Sequence, residues 1–565
     1  ALLPGELREK PVRRSQANRR ILASACLLAL AFLLLAGRSF YLQVVRASEY
    51  APRAERQQLA RQEIPVKRGI IYDRGGDELA VSKRMATIAV DPIELKDKPG
   101  AARLLAPMLQ MEESDILAKL AQPGNFVYLG RRIDPAIGEC VTAMEIPGVI
   151  VRSEDKRIYP NGALASQVLG YVGTDNVGLA GIELQYDQVL SGKDGSRQVL
   201  TDLSGRPLEI VAEEAPQEAA SITLTIDKDI QYLTEQVLAQ TVEQHEALRG
   251  GAIVLDPRTG EIVAMANTPI FDANEYGNMP SEAQRNACIT DQFEPGSTFK
   301  MVLVAAALSA GIVTPDTVYK LAPSIQVWDR VVHEAHEEVP EEREMTVTEI
   351  LAQSSNVGAV TLGMDVGKER LVQMIRDFGF TAKLDVDFPG EVAGMMLEPD
   401  KWSGATIANV PIGHGISASA LQLAAAYGAV ANDGILVQPH LVRDHTDLYA
   451  RRVVSAEVAA TIRSMLVATV AEGTGKAARV SGYTVAGKTG TAQKVKKGGG
   501  GYSHDEFVAS FIGMVPAESP RLVIFVWVDE PTNGYLGSEV AAPAFAKIAA
   551  FALTQLGIPP SEEAE

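Results

Sequence analysis

Residues 21–37, ILASACLLALAFLLLAG, carry no charged side chain, and SFYLQVV extends the apolar character beyond Arg38. A helix of that length just spans the roughly 30 Å hydrocarbon core of a bilayer. Residues 1–20 hold six cations (Arg8, Lys10, Arg13, Arg14, Arg19 and Arg20) against Glu6 and Glu9. Such a basic flank stays on the cytoplasmic side. The expectation is a cytoplasmic basic arm over 1–20 and a single-pass anchor in the cytoplasmic membrane over 21–45. Everything after about residue 46 is then periplasmic or otherwise extracytoplasmic. A cleaved signal peptide is the alternative, but no small-x-small site closes the run. A lipid anchor at Cys26 fails because apolar residues continue well past it.

The 565 residues, 46% of them hydrophobic, suffice for two to four domains with their own cores. The formal charge of −18 argues against nucleic acid as the main partner. Three cysteines, Cys26, Cys140 and Cys288, lie far apart with no CxxC spacing, so no metal cluster or disulfide framework is indicated.

Residues 38–62 read as a helix that becomes more charged as it leaves the membrane. From KRGIIYDRGGDELAVS (67–82) short β-type runs broken by Gly and Asp take over. Residues 83–220 mix short strands and helices, one of them Asp115–Ala121 behind a Ser114 cap, and show no catalytic constellation. A second domain starts near 220. A β run ends at Asp227, and a helix follows with Ile230, Leu233, Val237 and Leu238 on one face. GAIVLDPRTGEIVAMAN (251–267) reads as a hairpin, as does the pair FVASFIGMVP (507–516) and RLVIFVWVDE (521–530). A helix over roughly 540–556 closes the domain. Strands at both ends with helices between predict an antiparallel sheet with a helical insertion, an α+β domain.

FEPGSTFKMVLVAAAL (293–308) sets Ser297 and Lys300 three residues apart where an apolar helix begins. Residues so spaced share a helix face, with Cβ atoms about 5–6 Å apart. A serine hydroxyl is a poor nucleophile until a base takes its proton. A lysine serves as that base if burial and nearby cations hold it neutral. The helix start also offers free N–H groups for an oxyanion. Alone, S-x-x-K is most simply a capping serine beside an ordinary lysine. Two further elements change the reading. Ser354-Ser355-Asn356 opens another apolar stretch, and Lys488-Thr489-Gly490-Thr491 lies in a β-type context. The ordered triple S-x-x-K, S-D-N, K-T-G is the signature of penicillin-binding proteins and class A β-lactamases, and here all three stand in that order with Ser-Ser-Asn in place of S-D-N.

The chain therefore resembles the penicillin-binding proteins, and more narrowly the class B, division-type transpeptidases. The resemblance runs from the anchor to about residue 560 and includes RGIIYDRGG (68–76), GYVG with the later GIE (170–183), EGTGKAARVSGYTVAGKTGTAQK (472–494) and VAAPAF (540–545). It implies an elongated mixed α/β pedestal over 46–220, of dimerisation type. A transpeptidase domain over 221–560 would follow, its antiparallel sheet and helical subdomain like those of serine β-lactamases. It implies that Ser297 is acylated by the penultimate D-Ala of a peptidoglycan stem peptide and that Lys300 is the base. Ser354 would relay a proton, and Asn356 would hold Lys300 and the substrate amide. Lys488 would supply positive charge near the substrate carboxylate, and Thr489, Gly490 and Thr491 would bind it. The N–H groups of Ser297 and Thr491 would form the oxyanion hole. No cofactor or metal is implied. Expected partners are lipid-linked peptidoglycan strands, a separate SEDS-type glycan polymerase and division membrane proteins docked through anchor and pedestal. β-Lactams are the expected inhibitors. Ser-x-Asn rather than Ser-x-Asp favours division over elongation.

Other motifs carry less. GHGISA (413–418) mimics a dinucleotide fingerprint, but no strand delivers an acid to it. His414 stands where relatives often have Gln, which makes it a poor candidate for any role. EGTGK (472–476) lacks the first glycine of a phosphate loop. HEAHEE (333–338) matches no metal spacing and reads as a solvated loop, and KVKKGGGG (494–501) as a mobile one. Competing functions are an elongation-type transpeptidase, a D,D-carboxypeptidase or β-lactamase on the same scaffold, and a catalytically idle scaffold.

Overall fold

The structure is a computed structural model and describes residues 14–48, 59–124, 126–201, 207–334, 341–496, 498 and 501–561. The basic arm before residue 14, residues 335–338 of HEAHEE and part of the Gly/Lys run at 494–501 lie outside these residues. The chain divides into two compact units.

The first unit comprises residues 1–66 and 193–218. Its helix Arg14–Phe40 passes into a π-helical turn, Tyr41–Val45. Asn18–Val45 is long and apolar enough to cross a membrane, and its apolar side chains are exposed. At its end the guanidiniums of Arg38 and Arg46 flank the Tyr41 ring at 5.7 and 5.8 Å. The expected helix over 38–62 is corrected: Leu59–Ile64 is a strand. It pairs antiparallel with Gly195–Thr201, which pairs with Pro207–Glu214. Strand pairing across a large sequence separation gives no local periodicity, which is why charge alone suggested helix there.

The second unit holds residues 67–192 and 219–565. Its first part is built on the long strand Glu78–Val90, flanked by antiparallel Val127–Ile133 and Val149–Ile158. Helices Lys98–Leu109, Glu113–Leu120 and Pro135–Ala143 close a core around Ile88, Leu105, Ile116 and Val141. Ser114 does not cap its helix as expected. It lies inside the first turn, and Glu112 precedes the helix without a side-chain capping bond. Near the Ile71–Tyr72 strand two arginines are buried. Arg68 pairs with Glu183 and Asp187, both at 2.7 Å, and Arg157 reaches the other Glu183 oxygen at 2.6 Å. Carbonyls of Glu183, Asn176 and Gly69 accept further guanidinium N–H groups.

The second part is a five-stranded antiparallel sheet in the order Ile262–Thr268, Arg249–Leu255, Leu522–Asp529, Tyr502–Val515, Ala486–Val495. Both expected hairpins are present. Alternate residues feed different cores: Ala252, Val254, Ile524 and Val526 pack with helices Lys228–Gln244 and Gly537–Gln555. Ile253, Leu255, Phe525 and Trp527 face the helical cluster that includes Lys300–Ser309, Asn356–Val366, Ala420–Ala431 and Ala456–Ala471. A sheet covered on both faces explains why RLVIFVWVDE reads as an unbroken apolar run. Asp227 caps its helix through the N–H groups of Asp229 and Ile230, as its position predicts. This second part supplies a sheet edge, Ala486–Val495, beside the start of the Lys300–Ser309 helix.

Candidate active site

Ser297 sits in a 3-10 turn, Gly296–Phe299, that leads into the Lys300–Ser309 helix. Tertiary bonds fix the turn. Gly296 N–H donates to Gly413 O at 3.1 Å, Thr298 Oγ1 to Pro295 O at 2.8 Å, and Tyr427 OH to Thr298 O at 2.8 Å. Gly296 has φ +55°, and a Cβ at Gly413 would lie 2.0 Å from the Gly296 carbonyl oxygen. The Ala486–Val495 strand lies directly against this turn: a Cβ at Gly490 would stand 3.0 Å from Thr298 Cγ2 and 3.3 Å from Pro295 O. Gly490 is thus the residue that permits the K-T-G strand to approach the serine.

The Lys300 amine is fully buried. It donates to Ser354 O at 2.6 Å and Asn356 Oδ1 at 2.9 Å, with Ser354 Oγ at 3.3 Å. A neutral amine has two N–H donors and one lone pair. The carbonyl and the amide oxygen use the donors, and the lone pair is left for a hydroxyl proton. Burial pushes Lys300 down to about 7, against the opposing field of Glu334. Lys488 is also fully buried, with only long contacts to its neighbour: Thr489 O at 3.3 Å and Thr489 Oγ1 at 3.4 Å. Burial first and the Lys300 charge second hold it well below an ordinary lysine. Two buried amines facing oxygens but no directly bonded carboxylate are an arrangement for proton transfer and anion recognition rather than for stability.

Ser354 adopts φ +60°, unusual for a residue with a Cβ, and this directs its carbonyl to Lys300. Ser297, Ser354, Asn356, Thr489 and Thr491 line one cleft of about 340 Å³, with Lys300 and Lys488 behind its wall. Thr489 Oγ1 meets Thr474 Oγ1 at 2.7 Å, and Gly537 N–H donates to Thr491 Oγ1 at 3.1 Å. The three sequence motifs, nearly 200 residues apart end to end, thus converge on one place. Among the described residues no cluster of side chains suits a metal ion.

Several contributors escaped sequence reasoning. Thr474, from the discarded EGTGK motif, buttresses Thr489. His414, discounted for any role, lines the cleft, with Nδ1 3.4 Å from Glu294 Oε2 and its ring 4.7 Å from that of Tyr502. Burial, then Arg330 and Lys300, push His414 down to about 4, while burial raises Glu294. The contact is therefore one between a neutral imidazole and a carboxyl group, not an ion pair. Phe507 and Tyr535 stack at 4.7 Å on the cleft wall. The solvated-loop reading of HEAHEE is corrected at its start. Glu334 is buried and accepts Ser355 Oγ–H at 2.6 Å and Asn356 N–H at 2.7 Å. The available signal was its place just beyond a β run; glutamate spacing alone does not reveal a partner 21 residues away.

Comparison with known proteins agrees with this geometry. Residues 250–550 match the penicillin binding protein transpeptidase domain, and residues 63–224 the penicillin-binding protein dimerisation domain. The probable peptidoglycan D,D-transpeptidase PenA of Neisseria gonorrhoeae is 35% identical over 99% of this chain and 96% of its own. Peptidoglycan D,D-transpeptidase FtsI of Escherichia coli is 33% identical over 96% and 92%. The crystal structure of penicillin binding protein 3 from Mycobacterium tuberculosis with aztreonam superimposes with TM-score 0.70 at 31% identity, covering 89% of this chain and 99% of that one. A sheet edge carrying K-T-G beside a helix carrying S-x-x-K defines the class of serine acyl-transferring, penicillin-binding folds. This chain belongs to the penicillin-binding protein transpeptidase family, and relatives within it are described as peptidoglycan D,D-transpeptidases.

Proposed function

We propose that this protein cross-links peptidoglycan stem peptides by D,D-transpeptidation. The observation that carries the proposal is the buried Lys300 amine, held by Ser354 O and Asn356 Oδ1 in the wall of the cleft that Ser297 lines. Ser297 Oγ attacks the carbonyl carbon of the penultimate D-Ala as its proton passes to Lys300. The N–H groups of Ser297 and Thr491 take up the oxyanion charge. Ser354 relays the proton to the leaving nitrogen, the C–N bond breaks and terminal D-Ala departs. The amine of a neighbouring stem peptide then attacks the ester carbon, and the released Ser297 oxygen regains a proton. Lys488, Thr489 and Thr491 bind the substrate carboxylate, and Asn356 the substrate amide. The reaction needs no cofactor.

β-Lactams acylate Ser297 and stall at the ester; a related structure is described with aztreonam bound. Septal rather than elongation synthesis is favoured by Ser354-Ser355-Asn356 and by relatives of the FtsI type. The basic flank stays in the cytoplasm, so the catalytic domain faces outward. A SEDS-type glycan polymerase and division membrane proteins dock through the 21–45 anchor and the 46–220 region.

The test is covalent labelling with a fluorescent penicillin, wild type against Ser297→Ala, followed by turnover of a stem pentapeptide with an acceptor amine. A stable adduct lost in the variant and a cross-linked product support the proposal. D-Ala release without cross-linking would make the protein a carboxypeptidase, and absence of any adduct on folded protein would leave a scaffold.

A further inference from the structure

The residue just after the strand Arg330–His333, Glu334, is one the transpeptidase motifs do not include. Glu334 Oε1 accepts Ser355 Oγ–H at 2.6 Å and the Arg343 guanidinium at 2.7 Å, and its Oε2 accepts Asn356 N–H at 2.7 Å. Its side chain is only 7% exposed. The neighbouring His333 carbonyl accepts Asn356 Nδ2–H at 3.2 Å. Ser355 Oγ in turn accepts Gly358 N–H at 2.9 Å and caps the Asn356–Val366 helix.

These bonds settle two things about the base. His333 O takes the amide nitrogen of Asn356, so the oxygen of that amide points to Lys300. Glu334 grips the residues on the far side of Ser354, the one non-glycine at this corner with positive φ, whose carbonyl is the nearest partner of Lys300. An unfavourable backbone conformation persists only where surrounding bonds over-determine it.

We propose that Glu334 is a positioning residue for acyl transfer: it clamps Ser355 and Asn356 so that Ser354 O and Asn356 Oδ1 hold the Lys300 amine toward the serine. The inference rests on Lys300 being the base. Glu334 also acts on that amine through its charge. The charged and titratable groups coupled to Lys300 are Lys488 from the sheet edge, His414 from the Gly413 turn and Glu334 itself, while Arg330 from the short hairpin acts on His414. Glu334 is the carboxylate whose field favours the protonated amine, and Arg343 partly neutralises it.

Opposite signs follow for two substitutions. Glu334→Gln removes the negative charge and sets an N–H group where one of the two carboxylate oxygens accepts from its donors. Arg343→Gln leaves the carboxylate on Ser355 and Asn356 but strips its counter-charge. The full-length protein in detergent is acylated with fluorescent penicillin from pH 5 to 9, and the second-order rate constant is fitted to its acid limb and plateau. Wild type is expected to have an acid limb near 7. Glu334→Gln should lower the plateau on the order of tenfold or more and move the limb to lower pH. Arg343→Gln should keep most of the plateau and move the limb to higher pH. Glu334→Asp should keep the wild-type limb with a reduced plateau. Limbs that coincide in wild type, Glu334→Gln and Arg343→Gln would overturn the proposal whatever the plateaus, because simple loosening of the fold moves no limb. Failure of the base assignment looks different: wild type itself would show no limb near 7.

Discussion

Two places in the second unit bury a pair of cations, and they treat them in opposite ways. Near the Ile71–Tyr72 strand, Arg68 and Arg157 share the two oxygens of Glu183, with Asp187 and three backbone carbonyls taking further N–H groups. Beside the sheet edge, Lys300 and Lys488 are equally buried but are given carbonyl, amide and hydroxyl oxygens instead of bonded carboxylates. The first pair keeps its charge and joins distant segments. The second loses charge readily, because desolvation is not offset by an ion pair. Residue type follows the use: a guanidinium cannot give up its proton and forks onto carboxylates, whereas an amine does so when desolvated. Buried charge is structural where it is saturated and chemical where it is starved.

The largest expected effect breaks the starved pair. Lys300→Met should lower the rate of penicillin acylation on the order of 10³-fold or more, as loss of a general base does, with the folded spectrum retained. Stopped-flow labelling measures it, and a rate within tenfold of wild type would remove Lys300 from the chemistry. Next comes the saturated pair. Glu183→Gln leaves Arg68 and Arg157 buried without their shared charge, a loss of roughly 3–5 kcal/mol in folding stability. The midpoint of urea unfolding should drop accordingly, while protein that remains folded should acylate normally.

Lys488→Met sharpens the contrast by reversing the sign. The amine has only long contacts, so replacing it with an apolar chain of similar length should stabilise the fold by roughly 1–2 kcal/mol while impairing acylation. The pH dependence follows from linkage. The folded lysine is held below its ordinary value, so the unfolded chain binds more protons from the depressed value up to about 10.5. Wild-type stability therefore rises with pH across that window, and the advantage of the variant should shrink as pH approaches 10. A constant difference between pH 7 and 10 would show that Lys488 carries the same charge folded and unfolded.

The same contrast explains what was legible in the sequence. The sheet hairpins, the capped helix after Asp227 and the three motifs are local patterns, spelled out in consecutive residues. Ser297, Lys300, Ser354, Asn356, Lys488, Thr489 and Thr491 were therefore readable as one set, and the fold brings them together. What supports them is long-range and was missed. Glu334 reaches Asn356 across 22 positions, Thr474 reaches Thr489 across 15, and His414 meets Tyr502 across the cleft. A carboxylate in a glutamate-rich stretch looks solvated until its partner is placed. The Leu59–Ile64 strand failed for the same reason, since its partner Gly195–Thr201 lies more than 130 positions away.

A third buried group lies between the two extremes, and its expected effect is confined to one side of neutral pH. Glu235 sits on the Lys228–Gln244 helix, and its Oε1 accepts Ala165 N–H at 2.8 Å and Gln231 Nε2–H at 2.7 Å. Two neutral donors and no cation do not offset desolvation, and burial raises it to about 7. Its folded value exceeds the unfolded one, so its contribution to stability is fully present below about 4.5 and is lost as pH rises through about 7. A glutamine at 235 can accept the same two N–H groups without ionising. Glu235→Gln should therefore lie close to wild type near pH 5 and exceed it by roughly 2–3 kcal/mol at pH 8. Equal stabilities at both pH values would mean that two neutral hydrogen bonds suffice to keep a buried carboxylate charged, and the distinction between saturated and starved sites would then need a cation only for lysine.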